Sequence, residues 1–137
     1  MATHYSDISA ALDGRLDALG ELVAWENRHF EAPTDDTLFL RQTNLAGDTV
    51  QAELGTNGQD FSIGIYQVDI IGTFGKGKAP LYALSDAVCD HFARGQVMTY
   101  NGIKVRVRGN KRGAMVTDEQ QAMIPVEIFY EAYTAAR

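Results

Sequence analysis

Apolar residues first recur at helical spacing. Ile8, Leu12, Leu16 and Leu19 share one face of residues 6–19 and predict a helix. Ser6 suits its N-cap, Asp7 favours the first turn, and Gly20 is placed as a C-terminal stop. Gly14 inside it costs about 1 kcal/mol relative to alanine. From residue 22 the period shortens. "LVAWENRHFEAP" (22–33) predicts a short strand and a turn ending at Pro33. Residues 37–44 and 48–54 read as strands, followed by an Asn57-Gly58 turn signal. Residues 61–74 form the most strand-like run. Its apolar phase is Phe61, Ile63, Ile65, then Tyr66, Val68, Ile70, and the slip near Gly64 predicts a bulge. Residues 80–94 predict a second helix, with Pro80 in its first turn, Leu81, Leu84, Val88 and Phe92 on one face, and Gly95 ending it. Residues 103–109 alternate: Ile103, Val105 and Val107 on one side, Lys104, Arg106 and Arg108 on the other. Residues 109–121 read as a polar, glycine-containing loop. In the last strand, 123–133, Ile124, Val126, Ile128 and Tyr130 oppose Pro125, Glu127, Phe129 and Glu131. Pro125 cannot donate to a ladder, so this end of the strand is expected at an edge or a bulge.

Helix, strands, helix, strands is the order of an α+β fold. It implies a mostly antiparallel or mixed sheet with two helices packed on one face. The 137 residues amount to one domain, 1–137. Hydrophobic content of 45% and charged content of 22% are ordinary for a soluble globular domain. No run of eighteen apolar residues predicts a membrane span, and the N-terminus lacks a secretory pattern. Cys89 is the single cysteine, so no internal disulfide is expected, which fits a reducing cytoplasm.

Charge changes the picture. The net charge of −6 argues against a general nucleic-acid binder. Its distribution is uneven. Five of the twelve Lys and Arg residues are Lys104, Arg106, Arg108, Lys111 and Arg112, whereas fourteen of the eighteen acids precede residue 91. Such asymmetry predicts a surface built to meet something, including another copy of the chain. The stripe Lys104, Arg106, Arg108 has three readings: a solvated face, a contact with a neighbour's acids, or a phosphate contact, which the net charge favours least.

Candidate chemistry is sparse. Gly72 to Lys78, "GTFGKGK", fits the G-x-x-x-x-G-K frame of a phosphate loop between a strand and a helix. Ala79 stands where that motif needs a hydroxyl for Mg²⁺. Pro80 removes a backbone donor from the helix start, and the strand order is not the βαβ repeat such loops sit in. A strand-to-helix turn is the better reading. His4, His29 and His91 lack paired metal-ligand spacing and read as surface or interface residues. Cys89 and His91 point to different helix faces, so Cys89 reads as a small buried hydrophobe. Trp25 is either core or an interface anchor. Glu127 and Glu131 would need a cleft to act as a carboxylate pair; a solvated or subunit-facing surface suits them better. No metal and no cofactor is expected.

The segments in order carry a likeness. Trp25-Glu26-Asn27, the strand Gly64 to Asp69, the glycine turn Gly72 to Gly77, Leu84 to Asp86, Phe92 to Gly95 and the strand Ile124 to Val126 resemble the tail-terminator-like proteins of long-tailed phages. The likeness spans about residues 5 to 133, and none of its motifs is catalytic. It implies a non-enzymatic protein of the virion, made in the host cytoplasm. Such proteins form a ring, typically six-fold, on the end of the finished tail tube. The ring stops polymerisation and meets the head connector. The implied partners are the chain itself, the tail tube protein and the head–tail connector, with DNA only passing through the lumen and no membrane. The interface residues expected on that reading are Trp25, Lys104, Arg106, Arg108, Lys111, Arg112, Glu127 and Glu131. The loop 109–122 and the hairpin near 43–60 are expected to order in the assembly. The rivals are a phosphate- or nucleotide-binding protein using the Gly72 to Lys78 turn, and a small monomeric ligand-binding module.

Overall fold

The computed structural model describes residues 4–51 and 59–135. In chain order the elements are α1 (His4–Asp17), β1 (Val23–Ala24), β2 (Phe39–Gln51), β3 (Gln59–Thr73), α2 (Ala79–His91), β4 (Val97–Tyr100), β5 (Ile103–Arg112), β6 (Val116–Thr117) and β7 (Gln121–Ala135). The strands form one sheet in the order β1-β2-β3-β7-β5-β4, with β6 also on β7. Only the β1–β2 pairing is parallel. The α+β class and mixed sheet expected from the sequence are therefore present.

Alternation sorts the sheet into two faces. Tyr66, Val68 and Ile70 of β3 stand opposite Ile128, Val126 and Ile124 of β7, and all six are fully buried. Leu40 of β2 and Val105 and Val107 of β5 extend the same layer. Both helices cover this face. Ile8, Leu12 and Leu16 of α1 recur every fourth residue and are buried, as are Leu81 and Val88 of α2. The long-range contacts of α1 run to β4 and β5, and those of α2 to β7, β3 and β5.

Several sequence expectations need correction. β2 runs unbroken through the two strands predicted at 37–44 and 48–54; the Asn57-Gly58 turn lies outside the described residues. The bulge is in β2, between Ala46 and Thr49, and not in β3 near Gly64. The β3–β7 ladder is continuous from Gln59↔Ala135 to Thr73↔Gln121. The apparent slip arose because β3 is apolar on both faces, in different halves. Gly64 is required by close approach: a Cβ there would overlap the Tyr130 hydroxyl.

Residues 109–121 are a loop only in part, at 113–115 and 118–120. β5 continues to Arg112 and β6 pairs with β7, because ladder bonds to β7 override a polar, glycine-containing sequence. Nor does Pro125 mark an edge, since β7 is central. The Pro125 carbonyl accepts from Gly113 N at 2.8 Å. In an antiparallel strand the N and O of one residue point to the same neighbour. The missing N–H of Pro125 therefore faces the place where β5 has just ended, and costs β3 nothing. α1 begins at His4, so Ser6 lies in its first turn rather than at the cap. The hairpin β4–β5 turns through Asn101 (φ 53°) and Gly102 (φ 82°), a pair of left-handed residues that the prediction passed over.

Candidate functional site

The face opposite the helices is open over part of its area; Phe39, Asp69 and Ile71, which also lie on it, are buried. Its rows run across the sheet through paired residues: Lys104 with Tyr133, Arg106 with Glu131, and Lys111 with Glu127. Arg106 Nε donates to Glu131 Oε1 at 2.8 Å, and its Nη2 closes the ion pair on the same oxygen. Glu131 is largely buried by this pairing, while Arg106 stays mostly exposed. Arg106 thus has an acidic partner within its own chain. Arg108 has none among the described residues. It borders an apolar hollow of about 420 Å³ formed with Leu45, Ile63, Ile65 and Phe129.

The register shift between Val107 and Gly109 splits the basic stripe. Lys104, Arg106, Arg108 and Lys111 lie on the open face. Arg112 pairs with Val126 and so crosses to the helix face. There its guanidinium lies 4.4 Å from the Tyr82 ring centroid and donates to Ser85 Oγ at 3.3 Å, with Asp86 at 3.5 Å. Arg112 fastens α2 to the sheet. An alternating count could not foresee this, because a bulge reverses the phase beyond it.

The two ends of the sheet differ in charge. At the β1–β2 end, a hollow of about 530 Å³ is lined by Asp13, Asp17, Glu26, Trp25, Arg28 and Gln42, with Ser9 and Gly14. Trp25 packs on the core and also lines this hollow. Glu26 Oε1 accepts from Gln42 Nε2 at 2.8 Å and from Asn44 N at 2.9 Å, satisfying the edge of β2 where β1 has ended. Asp13 Oδ1 accepts from the Tyr66 hydroxyl at 2.6 Å. Burial raises the Asp13 carboxyl above its usual value despite that bond, and burial followed by the Asp13 charge raises the Tyr66 phenol. At the β5–β4 end, a hollow of about 430 Å³ is lined by Arg94, Arg106, Arg108 and Glu131, with Gly95 and Val107. Residues 95 and 96 extend the edge here, through Gly95 N to Val107 O and Val107 N to Gln96 O, both 2.8 Å. Neither Arg94 nor this edge was singled out from the sequence, where a lone arginine after a helix carries no period.

The remaining candidates serve the fold. His91 is partly buried and bonded within the chain: its Nε2 donates to Arg15 O at 2.5 Å, while Arg15 Nε and Nη2 donate to His91 O at 3.0 and 2.8 Å. The clasp joins α1 to α2. His29 is exposed near Glu31, and the His4 side chain lies outside the described residues. Cys89 packs partly buried against the core, and burial raises its thiol pKa, opposite to the shift of an activated nucleophile. Among the described residues no three His, Cys, Asp or Glu side chains gather as metal ligands, and no helix is long and apolar enough to cross a membrane.

The glycine-lysine turn is packed from within. A Cβ on Gly72 would meet Leu38 Cδ2 at 2.6 Å, and Gly75 and Gly77 adopt φ of 90° and 83°. Lys76 approaches Asp36 at 3.5 Å, and Lys78 lies 5.5 Å from the Tyr82 centroid. Each glycine and lysine of the turn has a local structural use.

The model of the phage tail terminator protein family matches residues 7–130. The chain belongs to that family. It is a structural component of the phage tail, not an enzyme, and it works in contact with other phage structural proteins. One solved structure is similar over 91% of this chain and 92% of its own, at 24% identity and a TM-score of 0.74; this shows the fold alone. A chain from the virion of a native gene transfer agent particle is similar over 99% of this chain and 100% of its own, at 17% identity and a TM-score of 0.51. No curated protein matches the chain.

Proposed function

We propose that the protein closes the finished tail tube as a ring of copies, six-fold, at the head-proximal end. The ring stops tube polymerisation and offers the surface on which the head connector docks; DNA passes only through its lumen. The copies are made in the host cytoplasm and join the tail there.

One observation carries this reading beyond the family. The helices bury one face of the sheet, while the other face stays partly open and the outermost strands have no further strand neighbour among the described residues. Leu45, Tyr133 and Val97, each about half exposed, lie along this open face and its edge. A tail component with such a bare surface fits an assembly in which different patches of adjacent copies meet.

The test is electron microscopy of lysates from the source phage carrying an early stop codon in this gene. Abnormally long tails without heads are expected. Tails of normal length joined to heads would overturn the reading.

A further inference from the structure

The two ends of the sheet carry opposite and nearly mirrored charge sets. The β1–β2 hollow gathers three carboxylates, Asp13, Asp17 and Glu26, and one guanidinium, Arg28. The β5–β4 hollow gathers three guanidiniums, Arg94, Arg106 and Arg108, and one carboxylate, Glu131, which Arg106 already holds. The volumes are comparable, about 530 and 430 Å³. Each end also presents unpaired strand edge. β4 has a neighbour only in β5, and beyond Asn44 the outer side of β2 has none among the described residues.

We infer that these two ends are the two halves of one contact between copies: the Arg94 and Arg108 end of one subunit docks on the Asp17 and Glu26 end of the next. This rests on the ring reading and names the surfaces that make the ring. The contact is heterologous, because each end meets a different end, so repeated rotation closes a circle and leaves no end over. Complementary potentials bring the ends together and reject like against like. Trp25, lining the acidic hollow, supplies an aromatic surface on which a guanidinium stacks. Arg106 stays with its own Glu131, so Arg94 and Arg108 are the charges offered to the neighbour. A DNA phosphate is the competing occupant of the basic hollow. The chain's own acidic hollow and its net charge of −6 favour the neighbour.

Two variants test the pairing. The basic-end variant is Arg94→Glu with Arg108→Glu. The acidic-end variant is Gly14→Lys with Asp17→Lys. Both acidic-end positions are exposed, no atom lies within 4 Å of a Cβ built on Gly14, and Asp17 ends α1, where lysine suits the dipole. Each is supplied from a plasmid to the stop-codon phage, alone and together, with thermal melts of the purified variants confirming folding. Like charges facing each other should reduce viable phage by more than about tenfold for either variant alone. Together they should restore it, because the two reversed ends attract each other and so do the two native ends; an alternating ring closes with six copies. Rescue by either folded variant alone would overturn the pairing, and so would failure of the folded pair together. Tails of normal length on heads, made with the basic-end variant alone but failing to deliver DNA, would assign the hollow to phosphate and also overturn it. By contrast, normal tails in the stop-codon phage with no plasmid would overturn the ring reading itself.

Discussion

The Tyr66 hydroxyl donates to Asp13 Oδ1 at 2.6 Å and so ties the central β3 to α1 across the buried face of the sheet. The bond puts a carboxylate where burial disfavours its charge, and the folded-state pKa of Asp13 is raised. A raised folded pKa means that the folded state binds the proton more tightly than the unfolded state does. The stabilisation is present below the unfolded value of 3.8 and is lost as pH rises through the folded value. Asp13→Asn keeps an acceptor for Tyr66 without the charge. The variant should therefore gain thermal stability on the wild type at pH 7, and the gap should shrink as pH falls toward 4. Tyr66→Phe, which leaves the half-buried carboxylate without its donor, should cost about 1–3 kcal/mol at pH 7. Melts across that pH range check both; a gap that widens on acidification would refute the sign.

Glycines at two positions should respond in opposite directions. Gly64→Ala drives a methyl into the Tyr130 ring and hydroxyl, which bonds to Asn44 Oδ1 at 3.0 Å. Overpacking of this kind should destabilise by about 1–3 kcal/mol. Gly14→Ala meets nothing within 4 Å and lies inside α1. It should stabilise by about 0.5–1 kcal/mol. Urea unfolding of the two variants makes the comparison.

The clasp between the helices should be worth more than an exposed ion pair. Arg15→Ala removes two bonds to the His91 carbonyl at the end of α2 and leaves that carbonyl poorly satisfied. A loss of about 1.5–3 kcal/mol is expected, since the donor is charged. Amide exchange should quicken in the last turns of α1 and α2 before it does in β3 or β7.

Arg106 and Glu131 should couple weakly to stability. Arg106 is largely exposed, so a double-mutant cycle with Arg106→Ala and Glu131→Ala is expected to give about 0.2–1 kcal/mol. Arg112→Ala should be costlier, because it loses the Tyr82 ring and the Ser85 hydroxyl together.

The glycine-lysine turn should not bind nucleotide. Calorimetry with ATP and Mg²⁺ is expected to show no heat of binding, and Lys78→Ala should change nothing. Heat abolished by Lys78→Ala would restore the phosphate loop as a site. The expected result follows from Ala79 and Pro80 in the positions where the motif needs a hydroxyl and a backbone donor.

The sequence by itself determined what depends on neighbours along the chain. Ile8, Leu12 and Leu16 specify the buried stripe of α1, and Ile124, Val126, Ile128 and Tyr130 specify which side of β7 faces the core. Each of these is a local periodicity, and period fixes a face. The order of short segments from Trp25 to Val126 also carried the family likeness. Tertiary structure decided what depends on residues far apart. Pro125 sits in a central strand because β5 ends beside it, a fact about the partner strand. Arg112 leaves the basic face because the β5–β7 register shifts at Gly109. Arg94 joins Arg108, and Asp13 joins Glu26, only once the strands are ordered β1-β2-β3-β7-β5-β4. Local periodicity specifies the face a side chain takes; which strand lies beside it is set by long-range pairing, which leaves no period in the sequence.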